Sequence, residues 1–226
     1  MITVLARLVF DALLVAIALF GGAWTLAWPR AWIVLASLLL VRTATAFVVY
    51  AVNPALLRER ARFPLHREQL AADKVLLLAV VTTGYAGVPL VAGLDVFRWH
   101  VLPTPSPVVS ALGLVLFNLG WTIKALALRT NAFATTAVRL QRDRKHTVVD
   151  TGVYAIVRHP FYAGTPLVLI GLALWLESFL AVLVAIVPLT LMVIRLRLEE
   201  RLLLRELVGY AQYVRRVPRR LIPGIW

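Results

Sequence analysis

Cysteine is absent from the 226 residues. Thiolate catalysis, cysteine-ligated metals and disulfides are therefore excluded, and the absence carries no information on compartment. Histidine is scarce. The four His residues are spread along the chain with no His-x-x-x-His or comparable cluster, so no metal site is expected. Acidic residues are also few, 11 against 24 Lys and Arg, which leaves a net charge of +13. That balance can mark a nucleic-acid binder. In an apolar chain it reads more simply as cytoplasmic loops that obey the positive-inside rule and touch anionic lipid. Membrane lipids, and not nucleic acid, are the expected surroundings.

What the chain has in excess is apolar residues, 61% of the total, with a mean hydropathy of +0.85. Soluble domains average about 45–50%. The surplus is too large for one buried core and points to lipid as the solvent. The first apolar run, Val4 to Trp28, is too long for a signal-peptide core and lacks a small-residue cleavage site. It is expected to be a retained first membrane helix.

A spanning helix needs roughly 20 apolar residues. Segments 4–28, 31–52, 74–94 and 107–128 meet this, and a charged stretch at 129–158 follows. The next apolar block, 161–197, is too long for one pass and is interrupted by Glu177 and Ser178. It reads as a tight hairpin of 161–176 and 179–197, whose second arm continues as an amphipathic helix to Leu207. The basic tail ends in Pro218 and Pro223, which argue against further long helix. The expected fold is all-α: a polytopic helical membrane protein with about six membrane segments, including the C-terminal hairpin. Sidedness follows from charge. With the N-terminus inside, the inner segments 53–74, 129–158 and 195–226 hold 5, 6 and 8 basic residues, and the outer loops hold only Arg30 and Arg98. Both termini are thus expected to face the cytoplasm.

Charges also fall within the apolar segments. Asp11 and Arg42 lie at similar depth in the first two helices and are expected to pair, because a lone intramembrane charge is costly; the pair reads as structural, with a role in an acceptor site as the alternative. Lys124, near the inner end of the fourth helix, is expected to snorkel to the interface; the alternative is contact with an anionic substrate or a lipid headgroup. Trp24, Trp28, Trp32 and Trp99 cluster at the outer boundary as an aromatic belt.

The stretch that carries chemistry runs from His146-Thr147-Val148-Val149 through Tyr154 to Arg158-His159-Pro160-Phe161-Tyr162. Arg195-Leu-Arg197-Leu-Glu199-Glu200 follows about thirty-five residues later, then Gly209-x-x-x-Tyr213. Pro160 suits the first turn of a helix, where free N–H groups favour an anionic ligand group. The hairpin arms are antiparallel, so they bring the His-Pro-Phe-Tyr entrance close to the Glu-Glu exit. Such a place suits a zwitterionic sulfonium ligand, whose positive charge a carboxylate can balance. Taken singly, Arg158 reads as an interfacial anchor, His159 as a cap and the two glutamates as a solvated face. Their order around one hairpin is what points to a site.

In this combination the sequence resembles the isoprenylcysteine carboxyl methyltransferase family and, more broadly, phospholipid methyltransferase-like membrane enzymes. The resemblance covers about 80 residues, His146 to Pro223. It implies a small helical bundle whose C-terminal half wraps S-adenosyl-L-methionine at the cytoplasmic face. On this reading residues 1–130 form an acceptor-side bundle, and residues 131–226 form the cofactor-binding region. The resemblance implies cofactor contacts from His146, Thr147, Val148, Val149, Tyr154, His159, Pro160, Phe161 and Tyr162. It implies another from one of Glu199 and Glu200, with Glu200 favoured. An arginine just before that pair, Arg195 or Arg197, is implied for the methyl acceptor, which it would orient by a bidentate pair if the acceptor is a carboxylate. A family glutamine about seven residues before the His-Thr run is not matched; Arg139 stands there, with Gln141 nearby.

The implied activity is methyl transfer to a lipophilic acceptor, either the carboxylate of an isoprenylcysteine-like compound or a lipid amine or hydroxyl. An amine acceptor would need a base, for which Glu199 and His159 are the candidates. The implied location is a multi-pass membrane protein with its catalytic face in the cytoplasm, which in a bacterium means the inner membrane. An NADPH-dependent membrane reductase of the sterol type shares a His-Pro-x-Tyr pattern and is the alternative enzyme. A transporter or scaffold is the non-catalytic alternative, and the absence of repeat symmetry counts against it.

Overall fold

The computed structural model describes residues 2–61, 69–141 and 144–226. Among these the chain is all-helical. Five helices are long and apolar enough to cross a membrane: α1 (Ile2–Ala23), α2 (Pro29–Val52), α4 (Ala71–Trp99), α5 (Pro107–Thr130) and α7 (Phe179–Glu206). A shorter apolar helix, α6 (Pro160–Trp175), forms the first arm of the hairpin. Two short helices complete the set, α3 (Pro54–Ala61) and α8 (Tyr210–Arg216). The 22 residues of α1 span about 33 Å at 1.5 Å per residue, enough for the hydrocarbon core. Of the basic residues counted for sidedness, Arg62, Arg67 and Arg142 lie outside the described residues.

Proline sets the boundaries. It opens α2, α5 and α6, where its missing N–H costs nothing. Ser106 caps α5 by accepting from the Val109 amide. Within the helices proline distorts instead. Pro89 follows a π-helical turn at Thr82–Gly87, and Pro188 cannot donate to the carbonyl of Val184, so α7 is interrupted at Ala185. At the hairpin turn Glu177 adopts φ 64°. The turn is held there by a 2.9 Å ion pair to Arg30 and by Ser178, which caps α7 and donates to Asp95 at 2.6 Å.

Glycine sets the closest approach. α5 and α6 run antiparallel with Gly113 and Gly120 facing Gly171 and Gly164. A Cβ on Gly120 would stand 2.6 Å from the carbonyl oxygen of Gly164. Without side chains in between, the backbones pack directly, as small residues allow in membrane bundles. The expected Asp11–Arg42 pair is present at 2.7 Å, and Arg7 shares the same carboxylate. Of the four belt tryptophans, Trp28 is buried and edge-on to Phe97, while Trp24, Trp32 and Trp99 are exposed.

Candidate functional site

The α5–α6 contact and the antiparallel return of α7 leave a cavity of about 300 Å³ at the end of the bundle that carries the motifs. One side is built from the C-terminal motifs. His146 to Val149 lie on the loop after α5, Tyr154 on a short 3₁₀ turn at Gly152–Ala155, and His159, Phe161 and Tyr162 at the start of α6. Arg195 and Glu199 face it from α7, one helical turn apart, with Tyr210 and Tyr213 from α8. Of the residues expected to bind the cofactor, Pro160 and Glu200 are buried but do not line the cavity.

A chain of hydrogen bonds orders the α7 side. Asp73, fully buried on α4, accepts from Arg195 Nε at 2.7 Å. Arg195 donates to the Tyr162 hydroxyl at 2.9 Å and to the Thr136 carbonyl. Tyr162 in turn donates to Glu199 at 2.7 Å. These contacts leave Arg195 little freedom to clasp a carboxylate. A guanidinium has five N–H donors, and four contacts to Asp73, Tyr162 and Thr136 already engage Arg195. Arg197 is exposed and faces away from the cavity. Glu200, the glutamate favoured from the motif, is engaged within the protein. Its carboxylate is taken by Arg158 at 2.6 Å and Arg220 at 2.7 Å, with His159 Nε2 at 3.6 Å. Glu200 therefore ties the C-terminal tail to the start of α6, where the amides of Arg158 and His159 also donate to the carbonyls of Arg219 and Arg220. Glu199 is the glutamate left facing the cavity.

The other side of the cavity comes from residues outside the C-terminal motifs. Lys124 does not snorkel. Its side chain turns inward, 7% exposed, and donates to Thr165 at 2.8 Å with its ammonium 3.9 Å from the centre of the Phe161 ring. Arg60 of α3 lies 4.8 Å over the same ring. Arg42, Asp11, Tyr85 and Trp121 line this end too. An isolated lysine or aspartate within an apolar run is the signal that marks such positions, because intramembrane charges face the bundle interior. Gln141 is fully buried and serves the loop itself, donating to the Phe133 carbonyl at 2.7 Å, while Arg139 lines the cavity and pairs with Glu59 at 3.0 Å.

Electrostatics outside the spanning helices follow from burial. Burial, with Arg144 nearby, lowers His146 to about 4, so the ring is neutral and stacks on Phe133 at 4.4 Å. Burial also raises Tyr154, Tyr210 and Tyr213 well above the usual phenol value, so all three are neutral hydroxyl groups. His146 Nδ1 and Tyr210 Oη are buried without a hydrogen-bond partner among the described residues, His159 Nε2 has only the Glu200 carboxylate at 3.6 Å, and all three residues line the cavity. Unsatisfied buried polar atoms are uncommon in native interiors. Gathered at one cavity, they fit a polar ligand.

Fold and site define an integral, multi-pass helical membrane protein with a cavity of mixed polar and apolar lining. The profile of the phospholipid methyltransferase family matches residues 108–210. Protein-S-isoprenylcysteine O-methyltransferase B of Arabidopsis thaliana is 31% identical over 114 residues, which cover 49% of this chain and 57% of that protein. The resemblance read from the motifs is borne out, and the family match extends it to take in α5. Both similarities are to methyltransferases, and neither supports the reductase alternative.

Proposed function

We propose that this chain is a membrane methyltransferase that moves a methyl group from S-adenosyl-L-methionine to a lipophilic acceptor. The observation that carries the proposal is the single cavity that joins the His146–Val149 run, the His159–Tyr162 run and Glu199 around unsatisfied buried donors and acceptors. His146, His159 and Tyr210 would hold polar groups of the cofactor, and Val148 and Val149 would flank its apolar parts. Glu199, fixed by the Tyr162 hydroxyl at 2.7 Å, would balance the positive sulfur. The cofactor supplies an activated methyl group on a sulfonium, which is already a good leaving group.

The work left to the protein is positioning and electrostatic support. Arg195 acts as a positioning residue through Tyr162, and Arg197 takes no part. The acceptor side falls to residues 1–130 and the cofactor side to residues 131–226. The acceptor enters from the bilayer, and the charge of the basic inner segments supports a site at the cytoplasmic face. Calorimetry on the purified protein with S-adenosylhomocysteine and with NADPH tests the reading. Binding of the first alone is the expected result, and binding of NADPH alone overturns it.

A further inference from the structure

The side of the cavity lined by α1, α2, α3 and α5 is cationic and, among the described residues, short of counter-ions. Arg7, Arg42, Arg60 and Lys124 all line it, and the carboxylate among them, Asp11, is shared by Arg7 and Arg42. Lys124 has a hydroxyl and two aromatic rings as neighbours: Thr165 at 2.8 Å, Phe161 at 3.9 Å and Trp121 at 5.7 Å. Arg60 donates to the Ala134 carbonyl at 2.7 Å and stands over Phe161. No carboxylate reaches either cation among the described residues. Cation–π contact and single hydrogen bonds hold these groups in place but do not neutralise them.

Lys124 sits six residues before the end of α5, about 9 Å into the helix. A cation at such depth is expected to face a partner. Two further observations show that the place is built for one. Trp121 is 7% exposed, lines the cavity, and has an indole N–H without a partner among the described residues. Arg42 also keeps a buried Nη1 unsatisfied. Each of these groups is a donor, and donors on cations and on an indole select an acceptor-rich anion. Beyond them the wall turns apolar through Val4, Leu8, Val49, Leu77, Val80 and Val81 of α1, α2 and α4.

We propose that Lys124 and Arg60, flanking Phe161, bind the ionised oxyacid headgroup, carboxylate or phosphate, of an amphiphile whose apolar chain lies along α1, α2 and α4. Resting on the methyltransferase reading, this makes the acceptor an anionic lipophile and not a lipid amine or alcohol. Phe161 belongs to the His159–Tyr162 run, so the headgroup is held directly beside the cofactor-side residues. Arg195, with four of its contacts used inside the protein, leaves this task to Lys124 and Arg60. Burial brings Arg60 down to about 10, with Tyr85 opposing and Arg42 lowering it further, so it remains a cation at neutral pH.

The test is calorimetric titration of the protein in neutral detergent with four ligands of one chain length: hexadecanoate, hexadecyl phosphate, hexadecanol and hexadecylamine. At least one anion is expected to bind about tenfold or more tightly than the alcohol and the amine, and the tighter anion identifies the headgroup. Lys124→Met and Arg60→Gln are expected to erase that preference. Arg205→Gln, on the exposed face of α7, is expected to keep it. Equal affinity for all four ligands overturns the inference, as does a preference that survives both substitutions. If Lys124→Met does not fold, the four-ligand series on the unaltered protein still decides. S-adenosylhomocysteine is titrated in parallel. Its binding without any headgroup preference sinks this inference alone, and a preference without its binding sinks the methyltransferase reading while leaving the anion site.

Discussion

Removing the Arg195 side chain separates two roles that the motif alone runs together. Asp73 is 0% exposed, and its carboxylate accepts from Arg195 Nε at 2.7 Å, from Gln69 at 2.5 Å and from the Val138 amide at 3.0 Å. In Arg195→Ala the two neutral donors stay and the balancing charge goes. Breaking a buried pair from one side costs about 3–5 kcal/mol. For a chain of this length that corresponds to a fall on the order of 10 °C in the unfolding midpoint. Arg197→Ala removes an exposed side chain and is expected to stay within about 0.5 kcal/mol of the parent.

Thermal unfolding in detergent reads the stability side, and methyl transfer to a lipophilic acceptor reads the other. Arg195→Ala is expected to lower kcat steeply while S-adenosylhomocysteine affinity holds, because Glu199 and the His146 run remain. The double variant Asp73→Asn/Arg195→Ala no longer buries a lone charge. It is expected to recover much of the midpoint but none of the rate, since Tyr162 still lacks its donor. A purely structural Arg195 would regain both. The reasoning is refuted if Arg195→Ala melts with the parent, or if Arg197→Ala loses as much activity.

Three further outcomes follow from other contacts. Gly120→Ala would place a Cβ 2.6 Å from the Gly164 oxygen, and the forced separation of α5 and α6 is expected to cost about 1–3 kcal/mol, read by thermal unfolding. Glu200→Gln leaves Arg158 buried without its partner and releases Arg220. Trypsin is expected to cut the tail between Arg215 and Arg220 faster, while cleavage elsewhere is unchanged. His146 titrates near 4 in the folded chain against 6.5 unfolded, so the unfolded chain takes up a proton between those values that the folded chain does not. Its contribution to stability is fully present above about pH 6.5 and is lost as pH falls toward 4. His146→Phe is expected to flatten the midpoint across that window.

Helix existence was legible because it depends on local composition. Each span needs only a long apolar run, and Pro29, Pro107 and Pro160 announce three of the starts. The Asp11–Arg42 pair was legible because depth along two helices suffices to place it. The choices that the spacing leaves open are choices of helix face. Arg195 and Arg197 differ by two residues, or about 200° of rotation, and Glu199 and Glu200 by about 100°. Near the membrane boundary the polar residues of α7 occupy several faces, so spacing does not say which face meets α4 and α6. That is decided by the kink at Pro188 and by Asp73, which stands 122 positions earlier in the chain. Lys124 was misread for a related reason. Snorkelling assumes lipid around the helix, but Gly120 and Gly164 bring α6 so close that Thr165 and Phe161 cover the lysine.

The same contacts bear on how the two halves of the chain share labour. The chain from Asp73 through Arg195 and Tyr162 to Glu199 begins in the half expected to choose the acceptor and ends on the glutamate proposed to face the sulfonium. Lys124 belongs to the first half, yet it is oriented by Thr165 and Phe161 of the second. Residue 130 is therefore not a structural boundary. A change of acceptor preference confined to α1, α2 and α4 must leave Asp73 in place, or it will displace Glu199 through three hydrogen bonds and alter the cofactor side as well. Variation in acceptor should accordingly concentrate on the apolar wall formed by Val4, Leu8, Val49 and Val80, which line the cavity but take no part in that chain.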